Sequence, residues 1–200
     1  MALTVKADVV NIGNDSPQAS DAFVVDTNVW YHLAYSRASQ ERTYKARVYP
    51  RYVNRSIQAK AGIFRCGLSF PELAHIIEKS ERDIWIRKNG DIAEKDYRNR
   101  PDERKVVVQE VEGAWSVVEA LSKHLDLSVD GPLVNSAVCR FKASPLDGYD
   151  LYILEAISRA SILQIITDDS DFAAVPGIRV FTCNNSVLEA AREQGKLLRR

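Results

Sequence analysis

Short apolar runs alternate along this chain with longer stretches in which apolar residues recur every three or four positions. Ala22-Phe23-Val24-Val25, Leu163-Gln164-Ile165-Ile166 and Ile178-Arg179-Val180-Phe181 are too short for helices and are rich in β-branched or aromatic residues, so they predict buried strands. Ile63 to Leu68 predicts either a further strand or a helix end. Leu73, Ile76, Ile77, Ile84 and Trp85 keep helical spacing up to a stop at Asn89-Gly90. Pro101 opens a long helix with a buried stripe at Val107, Val111, Ala114, Trp115, Val118 and Leu121 or Ser122, and His124 falls near its C-terminal end. Further helices are predicted over Val29–Tyr35, Val134–Lys142, Leu151–Ile157 and Ser186–Gln194. Strands alternating with helices argue for an α/β fold on a mostly parallel sheet.

The length suits a single domain, expected over 21–195, with a loose leader of at most one short strand over 1–20 and a basic, mobile tail over 196–200. Stretch 37–65 reads as a basic helical insertion and 91–125 as a long helical region rich in mixed charge. A hydrophobic fraction of 46% supports a packed core. Lys+Arg and Asp+Glu are both 27, so any pull on nucleic acid must come from a local patch. Such a patch lies in 37–65, where eight basic residues, among them Arg42, Lys45, Arg47, Arg51 and Arg55, face one acid, Glu41. Tyr44, Tyr49, Tyr52 and Phe64 are interleaved, so phosphate neutralisation and base stacking coincide. The alternative is a helix pair broken near Pro50 whose tyrosines pack on the core. Cys66, Cys139 and Cys183 lack metal-site spacing and are expected as reduced thiols in the core. With no export signal and no apolar run of membrane-spanning length, a soluble cytoplasmic protein is expected.

Acids stand where these elements change. Asp26 ends the strand at Val25; Glu72 lies at the start of a helix; Asp147 and Asp150 precede Leu151–Ile157; and Asp168, Asp169 and Asp171 follow the strand at Ile166. In a parallel sheet the strand C-termini and the following helix N-termini share one edge, so acids remote in sequence can meet there. Crowded carboxylates repel each other, and a hard divalent cation relieves that cost. Each acid also has a plainer reading: Ser69-Phe70-Pro71-Glu72 matches a capping box, and Asp147 or Asp150 can cap a helix.

Phe23-Val24-Val25-Asp26-Thr27-Asn28, Ser69-Phe70-Pro71-Glu72-Leu73, Asp150-Leu151-Tyr152-Ile153-Leu154 and Ile165-Ile166-Thr167-Asp168-Asp169-Ser170-Asp171-Phe172 resemble, in order, the motifs of PIN-domain nucleases, a family that includes the VapC-type toxins of toxin–antitoxin pairs. The resemblance spans Ala22 to Cys183 and implies a three-layer α/β/α fold with metal-dependent endoribonuclease activity on single-stranded RNA. It implies that Asp26, Glu72, Asp150 and Asp169 hold one or two Mg²⁺ or Mn²⁺ ions directly or through water, with Asp171 as an outer ligand. It leaves open whether Asp168 or Asp147 replaces one of them. Thr27, Asn28 and Thr167 are the expected orienting residues, although Thr27 and Asn28 also suit a plain helix entry. RNA is the implied substrate; an antitoxin protein and a second copy of the chain are the further partners to consider.

Two other readings compete. A haloacid dehalogenase-type phosphatase also places an aspartate after its first strand, but it needs a second acid two residues on, where this chain has Asn28. A non-catalytic module of the same fold could hold RNA or a protein instead.

Overall fold

Alternation along the central strands divides the core in two. In a computed structural model, which describes residues 3–38 and 43–200, Val9, Val24, Ile165 and Val180 join one buried cluster while their strand neighbours Val10, Phe23, Val25, Ile166 and Phe181 join another. Successive side chains of a strand point to opposite faces, so each strand feeds both clusters. The described residues form one seven-stranded sheet from β1 (Asp8–Asn11), β2 (Ala22–Val25), β3 (Gly62–Cys66), β4 (Lys123–Leu125), β5 (Gln164–Ile166), β6 (Arg179–Thr182) and β7 (Leu197–Leu198). Its order is β4-β3-β2-β5-β6-β1-β7, and every pairing is parallel. Central β2 is in register with both neighbours, Val24 lying opposite Phe64 on one side and Ile165 on the other.

Helices α1 (Thr27–Ala34), α2 (Lys45–Gln58), α3 (Ser69–Asn89), α4 (Glu94–Arg98) and α5 (Pro101–Leu121) cover one face, which buries Trp30, Tyr49, Tyr52, Leu73 and Val111. Helices α6 (Gly131–Phe141), α7 (Gly148–Ala160) and α8 (Asn185–Glu193) cover the other, through Ala137, Leu154, Ile157, Val187 and Ala191. The architecture is therefore a three-layer α/β/α sandwich.

Aspartate or asparagine starts four of the helices. Asp26 caps α1, Asp130 caps α6, Asp147 caps α7 and Asn184 caps α8, each accepting a first-turn N–H that has no partner inside its helix. Helix α3 stops at Gly90, whose φ of 92° suits a residue without a Cβ.

Several expectations need correction. The described part of the expected leader, residues 3–20, is not loose: β1 lies between β6 and β7, with Val9, Val10 and Ile12 buried. The tail is not free either, since Leu197–Leu198 pair with β1 and Arg200 is held by Asp15 and Asp21. Stretch 37–65 is not a purely helical insertion, because Gly62–Cys66 is a strand inside the sheet. Helix α2 runs unbroken through Pro50, which leaves only the Ala46 carbonyl without its usual donor. His124 does not end α5; it lies in β4, paired with Arg65 of β3. Cys66 and Cys183 are buried as expected, but Cys139 is exposed on α6.

Candidate functional site

Because every strand runs the same way, the C-terminal ends of β2, β3 and β5 and the N-terminal ends of α1, α3 and α7 fall along one edge. Asp26, Glu72, Asp150 and Asp169 all stand on that edge. Helix α2 returns the chain to the start of β3, so its first turn, with Lys45, is there too.

Asp26 is almost completely buried, at 2% exposure. Its Oδ1 accepts the Thr27 N–H at 2.7 Å, and its Oδ2 accepts the Thr167 hydroxyl at 2.5 Å and the Asn28 Nδ2–H at 2.7 Å. These donors favour the ionised form, but burial outweighs them, and the charges of Glu72 and Asp169 add to it. The Asp26 carboxyl is pushed up to about 7. Asp150, in the first turn of α7, is pushed further, to about 9, by burial and then by Asp26, Asp147, Asp169 and Glu72. Burial also raises Glu72, with Asp147 and Asp169 contributing and the Thr27 hydrogen bond opposing. Asp171 is raised by its burial, then by Asp169 and Asp147. Acids drawn from four separate parts of the chain therefore feel one another's charge.

The three orienting residues divide the work among the acids. The Thr27 hydroxyl donates to Glu72 Oε2 at 2.6 Å rather than serving Asp26. Thr167 orients Asp26, while its own oxygen accepts the Asp169 N–H at 2.8 Å. Asn28 bridges two strand ends: its Nδ2 donates to Asp26, and its Oδ1 accepts the Asp168 N–H at 3.2 Å. That amide cannot act as the general acid a phosphatase would need there. The capping box at Ser69 does not form. Ser69 sits inside α3 with an unpartnered buried hydroxyl, Leu68 takes the cap position without a side-chain bond, and Glu72 is left to face Thr27.

Asp147 Oδ1 is occupied by the Tyr149 and Asp150 N–H groups, yet its charge still acts on Glu72, Asp150 and Asp171. Asp169 Oδ1 accepts the Asp171 N–H at 2.8 Å and so opens the 3₁₀ turn Asp171–Ala174. Among the described residues, Asp26, Glu72, Asp150, Asp169 and Asp171 form no ion pair with any lysine, arginine or histidine. Oxygen donors with uncompensated charge suit a hard divalent ion. As the side chains lie, however, no group of three or more histidine, cysteine, aspartate or glutamate residues among those described could hold a metal ion.

The basic candidates separate into two kinds. Arg47 and Arg51 are exposed one turn apart on α2 and make no ion pair among the described residues, and Tyr44 beside them is 55% exposed. Lys45 is instead paired with Asp168 at 2.5 Å, and Arg55 donates to the Asp15 carbonyl at 2.8 Å. Arg42 lies outside the described residues. Tyr49 and Tyr52 are buried and unavailable for base stacking; their i, i+3 spacing with Val53 and Ser56 was the signal for a core-facing stripe. The sequence offers Tyr49 for base stacking or core packing and gives no role to Asn184, yet both bond to the Thr167–Asp168 segment.

No protein-family model matches this chain, and no curated protein matches it. No helix among the described residues is long and apolar enough to cross a membrane.

Proposed function

We propose that this protein is a Mg²⁺- or Mn²⁺-dependent endoribonuclease that cleaves phosphodiester bonds of single-stranded RNA. One observation carries the reading: Asp26, Glu72, Asp150 and Asp169 share a sheet edge, burial and neighbouring charge, Asp169 included, raise the first three, and none of the four pairs with a lysine, arginine or histidine among the described residues. Buried titratable groups with strongly displaced ionisation are costly to keep and mark functional sites more often than structural ones. A divalent ion held there would supply charge for the phosphoryl oxygens and acidify an attacking water. Asp26, Glu72, Asp150 and Asp169 would hold it, with Asp171 outside them.

The chain's own groups do the remaining work. Thr167, Asn28 and the Thr27 N–H fix the Asp26 carboxylate, and the Thr27 hydroxyl fixes Glu72. Asp150, pushed up to about 9, would hold its proton near neutral pH, and a cation held beside it would favour its ionised form. Arg47 and Arg51 attract the phosphates of an incoming strand, and the open Tyr44 ring offers one stacking surface. A toxin role with an antitoxin partner is a finer proposal that rests on the family resemblance; self-association and a cytoplasmic setting are further proposals.

The test is incubation of the purified chain with a mixed RNA pool, with and without Mn²⁺, followed by mapping of the ends. The expected result is defined ends that need Mn²⁺ and vanish in Asp26→Asn. RNA bound in EDTA but left intact with Mn²⁺ would make the chain a binding module instead.

A further inference from the structure

Asp168 sits between Thr167 and Asp169, and its polar atoms are all engaged. Its N–H donates to Asn28 Oδ1 at 3.2 Å, and its carbonyl accepts from Asn184 Nδ2 at 2.8 Å. Its Oδ1 lies 3.0 Å from the Tyr49 hydroxyl and its Oδ2 2.5 Å from Lys45 Nζ. The same Tyr49 hydroxyl lies 3.0 Å from the Thr167 carbonyl and 2.9 Å from Thr182 Oγ1, and it accepts the Cys183 N–H at 3.1 Å. Its single proton serves one acceptor at a time, so this is a hub shared by three segments. Lys45 and Tyr49 are one turn apart on α2, the helix whose outer face carries Arg47 and Arg51.

We propose that Asp168 is a positioning residue and that Lys45 and Tyr49 anchor it to α2. The basic face of α2 and the carboxylates of Asp26 and Asp169 are thereby held at one fixed spacing. The route is short: Asp168 adjoins Asp169, whose N–H binds the Thr167 hydroxyl that orients Asp26. A shift of Asp168 therefore reaches both acids, and small displacements of such groups are expensive for a reaction. Asp168, with both carboxylate oxygens engaged, is withdrawn from holding metal, and Lys45 is withdrawn from phosphate contact. This inference rests on the nuclease reading above.

A double-mutant cycle tests it, using Lys45→Met, Asp168→Asn, their combination and Lys45→Arg in the full chain. Three quantities are measured: kcat and KM on a cleaved RNA, Mn²⁺ binding to the RNA-free protein by calorimetry, and RNA binding in EDTA against salt. Each single variant is expected to lower kcat about tenfold, as loss of a supporting partner does. KM and the salt slope should stay unchanged, the double variant should be no worse than either single, and Lys45→Arg should regain most of the loss. A raised KM and a shallower salt slope in Lys45→Met would make Lys45 a phosphate contact and overturn the proposal. So would a loss of Mn²⁺ affinity in Asp168→Asn beyond that in Lys45→Met, or additive effects in the double variant. If Asp168→Asn does not fold, Lys45→Met against Lys45→Arg decides by the same two criteria. A wild-type chain that binds no Mn²⁺ and cuts no RNA overturns the nuclease reading and this inference with it. Binding and cleavage in the wild type with an additive cycle overturn the inference alone.

Discussion

Of two groups of buried acids in this molecule, one contains Asp21, which titrates low, and the other Asp26 and Asp150, which titrate high. Asp15 and Asp21, at 3% and 5% exposure, close around Arg200. The Arg200 guanidinium makes 2.9 Å bonds to both Asp15 oxygens and bonds of 2.7 and 2.9 Å to those of Asp21, and it lies over the Phe181 ring. Burial works against the Asp21 charge, but Arg200 and the Gln18 N–H more than offset it, and the carboxyl falls below its usual range. Asp26 and Asp150 are buried to a similar degree, with hydrogen-bond donors on Asp26 but no lysine, arginine or histidine paired with either among the described residues, and they rise to about 7 and about 9. Burial alone does not distinguish the groups; the charge partner does. Where the fold supplies its own cation the acids are a brace. Where no described residue supplies one, the uncompensated charge is the feature to explain.

The largest expected effect breaks the second group. Asp26→Asn should abolish RNA cleavage while the melting temperature in EDTA stays level or rises, because a buried repulsion is removed; retained cleavage would take Asp26 out of the mechanism. Arg200→Met attacks the first group and should do the reverse. Leaving two acids buried without a partner is expected to cost about 3 kcal/mol and about 10 °C in Tm, read by calorimetry, with cleavage per folded molecule unchanged. Replacing Arg47 and Arg51 together by Ser should weaken RNA binding about tenfold and reduce the salt slope by about 1.4, as expected for two lost phosphate contacts on a single strand. Unchanged binding would leave α2 without a role in attraction.

A pH scan sharpens the contrast. Asp26 and Asp150 have folded values above their ordinary 3.8. Their contribution to stability is thus complete below that value and is lost as pH rises through about 7 and then about 9. Tm in EDTA should fall between pH 5 and about 9, less steeply in Asp150→Asn. Added Mn²⁺ should invert the trend, since ionised acids bind the ion. The smallest effect belongs to Glu72→Gln. With no capping bond to lose, it should reduce cleavage with little change in Tm; a clear fall in Tm would restore a structural role for Glu72.

The edge that collects the acids was readable before the structure, because Val24-Val25-Asp26 and Ile165-Ile166-Thr167 announce strand ends on their own. The α/β class and its parallel sheet followed from strands alternating with helices, and the three layers from what the motif resemblance implies. What escaped was decided between distant segments. β4 is three residues long with only Leu125 buried, so Lys123 and His124 carried no strand signal. β1 sits in a polar, turn-rich stretch and earns its place from β6 and β7. The capping pattern at Ser69 was overridden because Leu68 already has helical backbone angles, which moves the serine into the first turn. The engagement of Lys45 and Tyr49 with Asp168 spans more than 100 positions, and no local pattern encodes it.

The placement of β1 has a consequence for how the chain is made. Its backbone partners are Arg179–Thr182 and Leu197–Leu198, so Asp8–Asn11 emerges from the ribosome long before anything exists to receive it. Until then Val9 and Val10 are an apolar segment with open hydrogen-bonding groups on both sides, the kind of segment that nascent-chain chaperones shield. Completion of the sheet is a late, long-range closure, slow by the usual relation between contact separation and folding rate. A nascent chain halted before Arg179 therefore holds β1 without β6, and β5, which carries Thr167 and Asp169 at its end, without one of its two neighbours.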